Sequence, residues 1–507
     1  MFRLLKSISK SIGRALADDP GVRSLVTRYP RLFAFIRRRF TPDEKFGLYL
    51  TIGGLASGVF MLLFFGVVED FMGQDVLIQS DLRIINLLQI FRTPLFSAAM
   101  LFVTYLGTWQ IVVAGVLASG VLFSLLKRWH YLIALIISVG GGELFVWLTK
   151  HILLRPRPPL IYALVPQDGF SFPSGHAFVA IAFYGLLGYF LFRATSSRFL
   201  KGCAVIVSAA TIVAIGFSRI YLGVHWPSDV LASYASAAAW LTALITALEI
   251  RRRFDHSEYR TVHFPLSSLV GFGVLLVALW GGYVGYFFRT HPLYAQEGAD
   301  KNQIVVSRED VPQKLFLAFS RTSEDITGRP MEPINVIVVG SYPGLLEAFG
   351  EAGWFLADPI TARSLWRLVA ATALNGPYPR APGTPSFWNA FPNELSFEQP
   401  TAADTVRERH HIHFWKTPFV VDSGEDVWFG TAHFDMAIKI SSGVVLPTHV
   451  IDPAVDKERD KIKNNLLRTG SVGRFEEFQI TEPMLGSNQS GDQFFTDGRS
   501  FIFFLKN

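Results

Sequence analysis

Phe172-Pro173-Ser174-Gly175-His176 decides the reading of this chain, because of what stands at fixed distances on either side of it. Upstream, Lys150 is followed after six residues by Arg157-Pro158. Downstream, Ser218-Arg219 is followed after five residues by His225 and after three more by Asp229. Together the blocks hold three cations, two histidines, a carboxylate, a small hydroxyl and a glycine. That inventory suits a multiply charged phosphoryl group with a nucleophile aimed at it.

The blocks sit among apolar runs. Half of the 507 residues are hydrophobic, 17% are charged and the mean hydropathy is +0.32. Such a composition predicts an integral membrane protein with an extramembrane portion. Residues 46–68 carry no charge over 23 positions, enough for one span. Residues 94–126 are also uncharged but longer than one span needs, which predicts a helix that begins early or tilts. Residues 131–149, 177–192, 202–217 and 230–248 supply spans three to six, and 264–288 a seventh. The expected fold is an all-α polytopic membrane bundle, with a six-helix core plus a seventh span, followed by a soluble α+β domain.

Charge orients the bundle. Residues 1–45 hold eleven Lys or Arg against four acids, read either as an amphipathic helix on an anionic leaflet or, preferred here, as a basic cytoplasmic tail. No long apolar core follows the early basic residues, so no cleaved signal peptide is expected. With the N-terminus inside, Lys127-Arg128, then Arg193, Arg198 and Lys201, then Arg251-Arg252-Arg253 all fall in cytoplasmic loops. The three blocks then share the outer face, as does everything after Arg289. A net charge of +6 distributed this way reads as topology, with no nucleic acid as partner. A single cysteine, Cys203, excludes an intramolecular disulfide and a multi-cysteine zinc site.

Roles follow from residue type. Lys150, Arg157 and Arg219 would neutralise phosphoryl oxygens, and Ser174 would donate a hydroxyl hydrogen bond. Gly175 allows close backbone approach at a helix start, where the dipole favours an anion. His225 is the candidate nucleophile: if Trp226-Pro227 opens a helix, Asp229 can hold one ring nitrogen and leave the other to attack. His176 is the candidate acid for the leaving group and later the base for water. Glu143, seven residues before Lys150, is either a polar partner within the bundle or support for Lys150. Singly, a Lys or Arg beside a span is a snorkelling anchor and Ser-Gly-His a turn. Three regularly spaced blocks on one side of the membrane are not explained that way.

Lys150…Arg157-Pro158, Pro173-Ser174-Gly175-His176 and Ser218-Arg219…His225…Asp229 resemble, at each defining position and spacing, the signatures of the type 2 phosphatidic acid phosphatases. The resemblance covers residues 46–250. It implies a helical active site needing no metal or other cofactor and a phosphohistidine intermediate. By position it implies His225 as nucleophile, Asp229 as its orienter, His176 as general acid, and a cradle of Lys150, Arg157, Ser174, Gly175 and Arg219. Vanadium haloperoxidases share a similar cradle but are soluble, and the spans argue against that branch. The implied substrates are membrane lipid phosphates and diphosphates: phosphatidate, phosphatidylglycerophosphate, undecaprenyl diphosphate or lipid A. The implied setting is a bacterial inner membrane with the site facing the periplasm.

Composition changes after residue 288. Residues 251–288 read as a cytoplasmic loop plus the seventh span, 289–303 as a linker, and 304–507 as the α+β domain. Residues 334–339, 411–415, 427–434 and 501–505 are strand-like, while 345–355, 361–374 and 452–467 are helix-like. This portion resembles the LssY C-terminal domain through His410-His411-Ile412-His413-Phe414-Trp415 and Thr496-Asp497-Gly498, a resemblance that implies no activity. Residues two apart on a strand share a face, so His411 with His413, and His433 with Asp435, could each offer two metal ligands, with His449 and Asp452 nearby in sequence. The plainer reading has those histidines packing or hydrogen-bonding locally. Residues 378–391, rich in aromatics and proline, read as a headgroup- or glycan-binding loop or a long surface loop. Two kinds of function remain open: a lipid phosphatase, or a phosphotransferase using the same residues, against a membrane-anchored assembly protein acting on an envelope partner through its outer domain.

Overall fold

The computed structural model describes residues 19–39, 47–254, 265–290, 303–309, 311–317, 319–440, 447–488 and 491–506. Most of the expected 289–303 linker therefore lies outside the described residues, as do residues 1–18 and 40–45 of the basic tail and residues 255–264. The chain forms two compact units: Met1–Glu69 with Thr93–Tyr294, and Asp70–Arg92 with Ala295–Asn507.

The first unit is helical. Two short basic helices, α1 (Pro20–Arg28) and α2 (Pro30–Arg39), precede α3 (Leu48–Gly73). A helix of the second unit, α4 (Val76–Gln89), comes next in the chain. The stretch read as one long second span is instead two helices, α5 (Pro94–Tyr105) and α6 (Trp109–Leu125), bent by 44°. At the break, Leu106 O accepts from Tyr184 Oη at 2.8 Å. A neighbouring side chain thus satisfies a polar group at the bend, as a bilayer requires. Then follow α7 (Trp129–Leu153), α8 (Gly175–Ala194), α9 (Arg198–Tyr221) and α10 (Pro227–Phe254). By length and composition, α3, α7, α8, α9 and α10 can each cross a membrane, and the bent pair makes a sixth. A further helix, α11 (Leu266–Thr290), covers the stretch read as a seventh span. Ser197 opens α9 by accepting Leu200 N–H, and Thr93 opens α5 by accepting Phe96 N–H, with Pro94 at the first helical position.

The second unit is α+β. Its main sheet runs β12 (Val472–Gln479), β15 (Arg499–Leu505), β4 (Val336–Val339), β10 (Asp426–Ile440), β9 (Arg409–Val421), β8 (Leu395–Pro400) and β5 (Phe355–Leu356). Strand β1 (Ile304–Val306) joins β9 in parallel, and β11 (Pro447–Ile451) joins β10 antiparallel. A second sheet holds β3 (Pro330–Pro333), β2 (Thr322–Glu324), β6 (Phe387–Trp388) and β7 (Phe391–Pro392), and a hairpin pairs β13 (Met484–Ser487) with β14 (Gln493–Thr496). After the short α12 (Val311–Lys314) come α13 (Tyr342–Glu351), α14 (Ala362–Leu374) and α15 (Asp456–Thr469). Each expected strand is present. The expected helix over 345–355 ends at Glu351, and Phe355–Leu356 is an edge strand against β8.

Alternation along β9 sorts its side chains. Ile412 and Phe414 join Leu345, Phe349, Ile462 and Leu466 in one core, while Trp415 joins Phe316, Trp388 and Phe429 in another. The sequence reading kept residues 70–92 within the membrane domain, and the structure differs. Helix α4 belongs to the second unit: Arg83 pairs with Glu324 at 2.6 Å, and Asn86 Nδ2 donates to Ala390 O at 2.8 Å. Only residues distant in sequence explain that docking.

Candidate active site

The three blocks converge through their local structure. Helix α7 ends as Leu154 turns left-handed (φ 50°) and its N–H caps Lys150 O at 3.0 Å. This puts Lys150 on the last turn and sends Arg155-Pro156-Arg157-Pro158 into a loop. Ser174 stands at the start of α8 without spending its hydroxyl on the cap. Trp226 precedes α10, and Asp229 Oδ2 accepts Trp226 N–H at 2.9 Å, the carboxylate half of a capping box. The conditional reading of Trp226-Pro227 as a helix start is therefore met. Asp229 Oδ2 also faces His225 Nδ1 at 3.3 Å, with Asp229 fully buried and His225 2% exposed.

The other ring nitrogen, His225 Nε2, lies 3.2 Å from Arg157 Nη1. Arg157 donates further to Val224 O (2.7 Å), Asp168 O (3.1 Å) and Gly169 O (3.0 Å). Lys150 Nζ donates to Phe170 O at 2.5 Å and to Ser171 O at 3.5 Å. Arg219 donates to Thr104 Oγ1 at 2.8 Å and to Gln167 Oε1 at 2.5 Å. The run Gln167-Asp168-Gly169-Phe170-Ser171 thus gives every one of the three cations an oxygen, and Gly169 supplies the turn at φ +76°. Two donors in this region are left over: Ser174 Oγ and Arg219 Nε are buried without a hydrogen-bond partner among the described residues. His176 packs beside Gly107, where an added Cβ would lie 3.0 Å from its Cδ2.

Sequence reasoning missed Arg155, Thr104 and the acceptor run 167–171. Arg155 Nη1 donates to Asp229 Oδ1 and to Ser228 Oγ, each at 2.7 Å. Its repeat with Arg157 in Arg-Pro-Arg-Pro was the available signal. Glu143, by contrast, is exposed and forms no ion pair with Lys150 among the described residues, because Lys150 turns to backbone carbonyls instead.

Electrostatics favour a neutral imidazole at His225. Burial, reinforced by Arg157, Arg219, Lys150 and His176, holds His225 well below the usual histidine range. Burial also lowers Arg157 to about 10 against the pull of Asp229 and Asp168, so it stays cationic at neutral pH. His225 then remains unprotonated as pH falls through about 6.5, its Nε2 lone pair turned to Arg157 Nη1. Were His225 the attacking group, the acid limb of kcat/KM would fall below the ordinary histidine value, as a pH–rate profile would register. An inflection at or above about 6.5 would contradict a neutral nucleophile.

In the second unit, five of the singled-out residues gather in one pocket: His411, His413, His433, Asp435 and His449 line it with Glu332, Ser386 and Asn488. Strand register explains this, since His433 sits opposite His411, and Glu398 and Ser396 of β8 sit opposite His411 and His413. Glu398 Oε1 lies 2.6 Å from His411 Nδ1, and His411 Nε2 lies 2.9 Å from His413 Nε2. Buried Arg409, unnoticed in the sequence, reaches Asp435, Glu398, Ala381 O and His449, each at 3.2 Å. Asp452 is spent on the Ala454 N–H and lies outside the pocket. Among the described residues, no three His, Cys, Asp or Glu side chains are arranged to hold a metal ion.

Apolar helices whose ends gather a His–Asp pair, a second histidine and three cations define a membrane-embedded phosphatase. The PAP2 superfamily pattern matches residues 127–255, and the LssY C-terminus pattern matches residues 313–499. Phosphatidylglycerophosphatase B of Bacillus subtilis (strain 168) is 30% identical over 181 residues, covering 35% of this chain and 87% of that protein. The chain belongs to the PAP2 superfamily. The undecaprenyl-diphosphatase of Sulfolobus acidocaldarius is 29% identical over 122 residues, covering 23% of this chain and 52% of that protein. The crystal structure of the first transmembrane PAP2 type phosphatidylglycerolphosphate phosphatase from Bacillus subtilis aligns at 26% identity and a TM-score of 0.34, covering 40% of this chain and 99% of that one.

Proposed function

We propose that the protein hydrolyses a phosphomonoester or diphosphate of a membrane lipid, through a phosphohistidine on His225, at the outer face of a bacterial inner membrane. The observation that carries this reading is His225 itself, with Nδ1 on Asp229 and Nε2 facing Arg157. In that arrangement Nε2 attacks phosphorus while Lys150, Arg157 and Arg219, with the spare Ser174 hydroxyl and the N–H groups at Gly175, take the non-bridging oxygens. His176 gives its proton to the leaving oxygen and then takes one from the water that cleaves the phosphorus–nitrogen bond. The names of the relatives support a lipid phosphate or diphosphate as substrate.

Phosphate release by the detergent-purified chain from a panel of lipid phosphates and diphosphates, with EDTA present, tests the proposal. Chelator-resistant release is expected. Release abolished by EDTA would overturn the metal-free mechanism. No release from any lipid by folded protein would favour phosphoryl transfer to another acceptor.

A further inference from the structure

We propose that Arg155 is a positioning residue for this reaction, fixing the Asp229 carboxylate and through it the ring of His225. The inference rests on the reading of His225 as nucleophile. Asp229 has two oxygens with different tasks. Oδ2 takes Trp226 N–H and faces His225 Nδ1, while Oδ1 takes the Arg155 guanidinium. With Oδ1 held at 2.7 Å by a guanidinium only 4% exposed, the carboxylate is tied from both oxygens. Only one orientation then presents Oδ2 to the imidazole.

The rest of Arg155 is equally engaged. Its carbonyl accepts from Ser171 N at 2.8 Å and Ser171 Oγ at 3.2 Å, which ties the Lys150–Arg157 block to the segment entering Phe172. Its guanidinium lies over the Trp226 ring at 5.5 Å, and Trp226 Nε1 donates to Pro156 O at 2.9 Å. One residue therefore links the first block to the third and to the segment that leads into the second. It acts through Asp229, and a buried carboxylate deprived of its cation is costly to keep charged.

The full chain in detergent, assayed on a short-chain phosphatidate, tests this with Arg155→Met and Arg155→Lys, each alone and combined with Asp229→Asn. Arg155→Met is expected to lower kcat about 100-fold, the scale of a misplaced reacting group, with KM little changed. Arg155→Lys should recover part of the rate. Because both residues act on one ring, Arg155→Met should slow Asp229→Asn no further. A rate within threefold of the parent in folded Arg155→Met, or losses that multiply with Asp229→Asn, would overturn the inference. Should Arg155→Met fail to fold, Arg155→Lys carries the same split, and a rise in KM with unchanged kcat overturns it. His225→Ala separates the two readings. Activity surviving that change overturns the nucleophile, whereas its loss beside a fully active Arg155→Met overturns the present inference alone.

Discussion

His225→Ala is expected to lose phosphate release by about 10⁴-fold or more while leaving the helices intact. The size of the effect follows from what no neighbour can replace. Lys150, Arg157 and Arg219 cannot attack, and the Ser174 hydroxyl has no base hydrogen-bonded to it among the described residues. His176 lies on α8, and the Asp229 carboxylate faces the ring of His225 instead. Phosphate release at saturating lipid, with circular dichroism as the check on folding, measures this. More than a tenth of the parent rate in the variant would mean that another group attacks.

Arg409→Met should destabilise the second unit by about 3–5 kcal/mol, the range for removing one partner from a buried charge network. Arg409 is 3% exposed and stands between two carboxylates that are each 1% exposed, Asp435 and Glu398. Methionine fills similar volume but leaves Asp435 to three imidazoles. Of these, burial pulls His411 well below the usual histidine range and His449 to about 3, in both cases against the pull of Asp435, whereas Asp435 holds His433 up at about 9 against burial. At neutral pH His433 alone would then remain to face Asp435 as a cation, in place of the pair it forms with Arg409. A loss of that size is a large share of a typical domain's ~5–15 kcal/mol, and denaturant unfolding followed by tryptophan fluorescence would register it. A change below about 1 kcal/mol would mean that the network contributes nothing net.

What was legible in the sequence is what a bilayer and a short spacing dictate. An apolar stretch in lipid can satisfy its backbone only as a helix, so the spans could be placed from composition alone. That Lys150, Arg157, His225 and Asp229 come together could be expected because each lies at or just beyond a helix end whose start or stop signal is within a few residues. The bend at Leu106–Thr108 was not legible, since the hydroxyl that satisfies Leu106 O comes from Tyr184. Nor were the acceptors of residues 167–171, which act largely through backbone carbonyls that carry no residue signature. In the second unit, two-residue alternation correctly put His411 and His413 on one face, but only strand register could reveal Glu398 and Arg409 as their neighbours.

Helix α4 has a consequence for how the protein is made and handled. Its Arg83 meets Glu324 across 241 positions of chain, so the second unit is assembled from two pieces with several membrane helices between them. The early piece leaves the ribosome long before the strands it will join. It must wait, its polar groups held by water, until β7 arrives. An excised fragment beginning at the linker would be born without it, leaving the buried amide partner at Ala390 and the Glu324 carboxylate uncovered. Any attempt to study the second unit alone therefore has to supply residues 70–92, either as a graft or as a separate peptide. Titrating such a peptide into the fragment would measure directly how much of the domain's cohesion resides in a segment it does not adjoin in sequence.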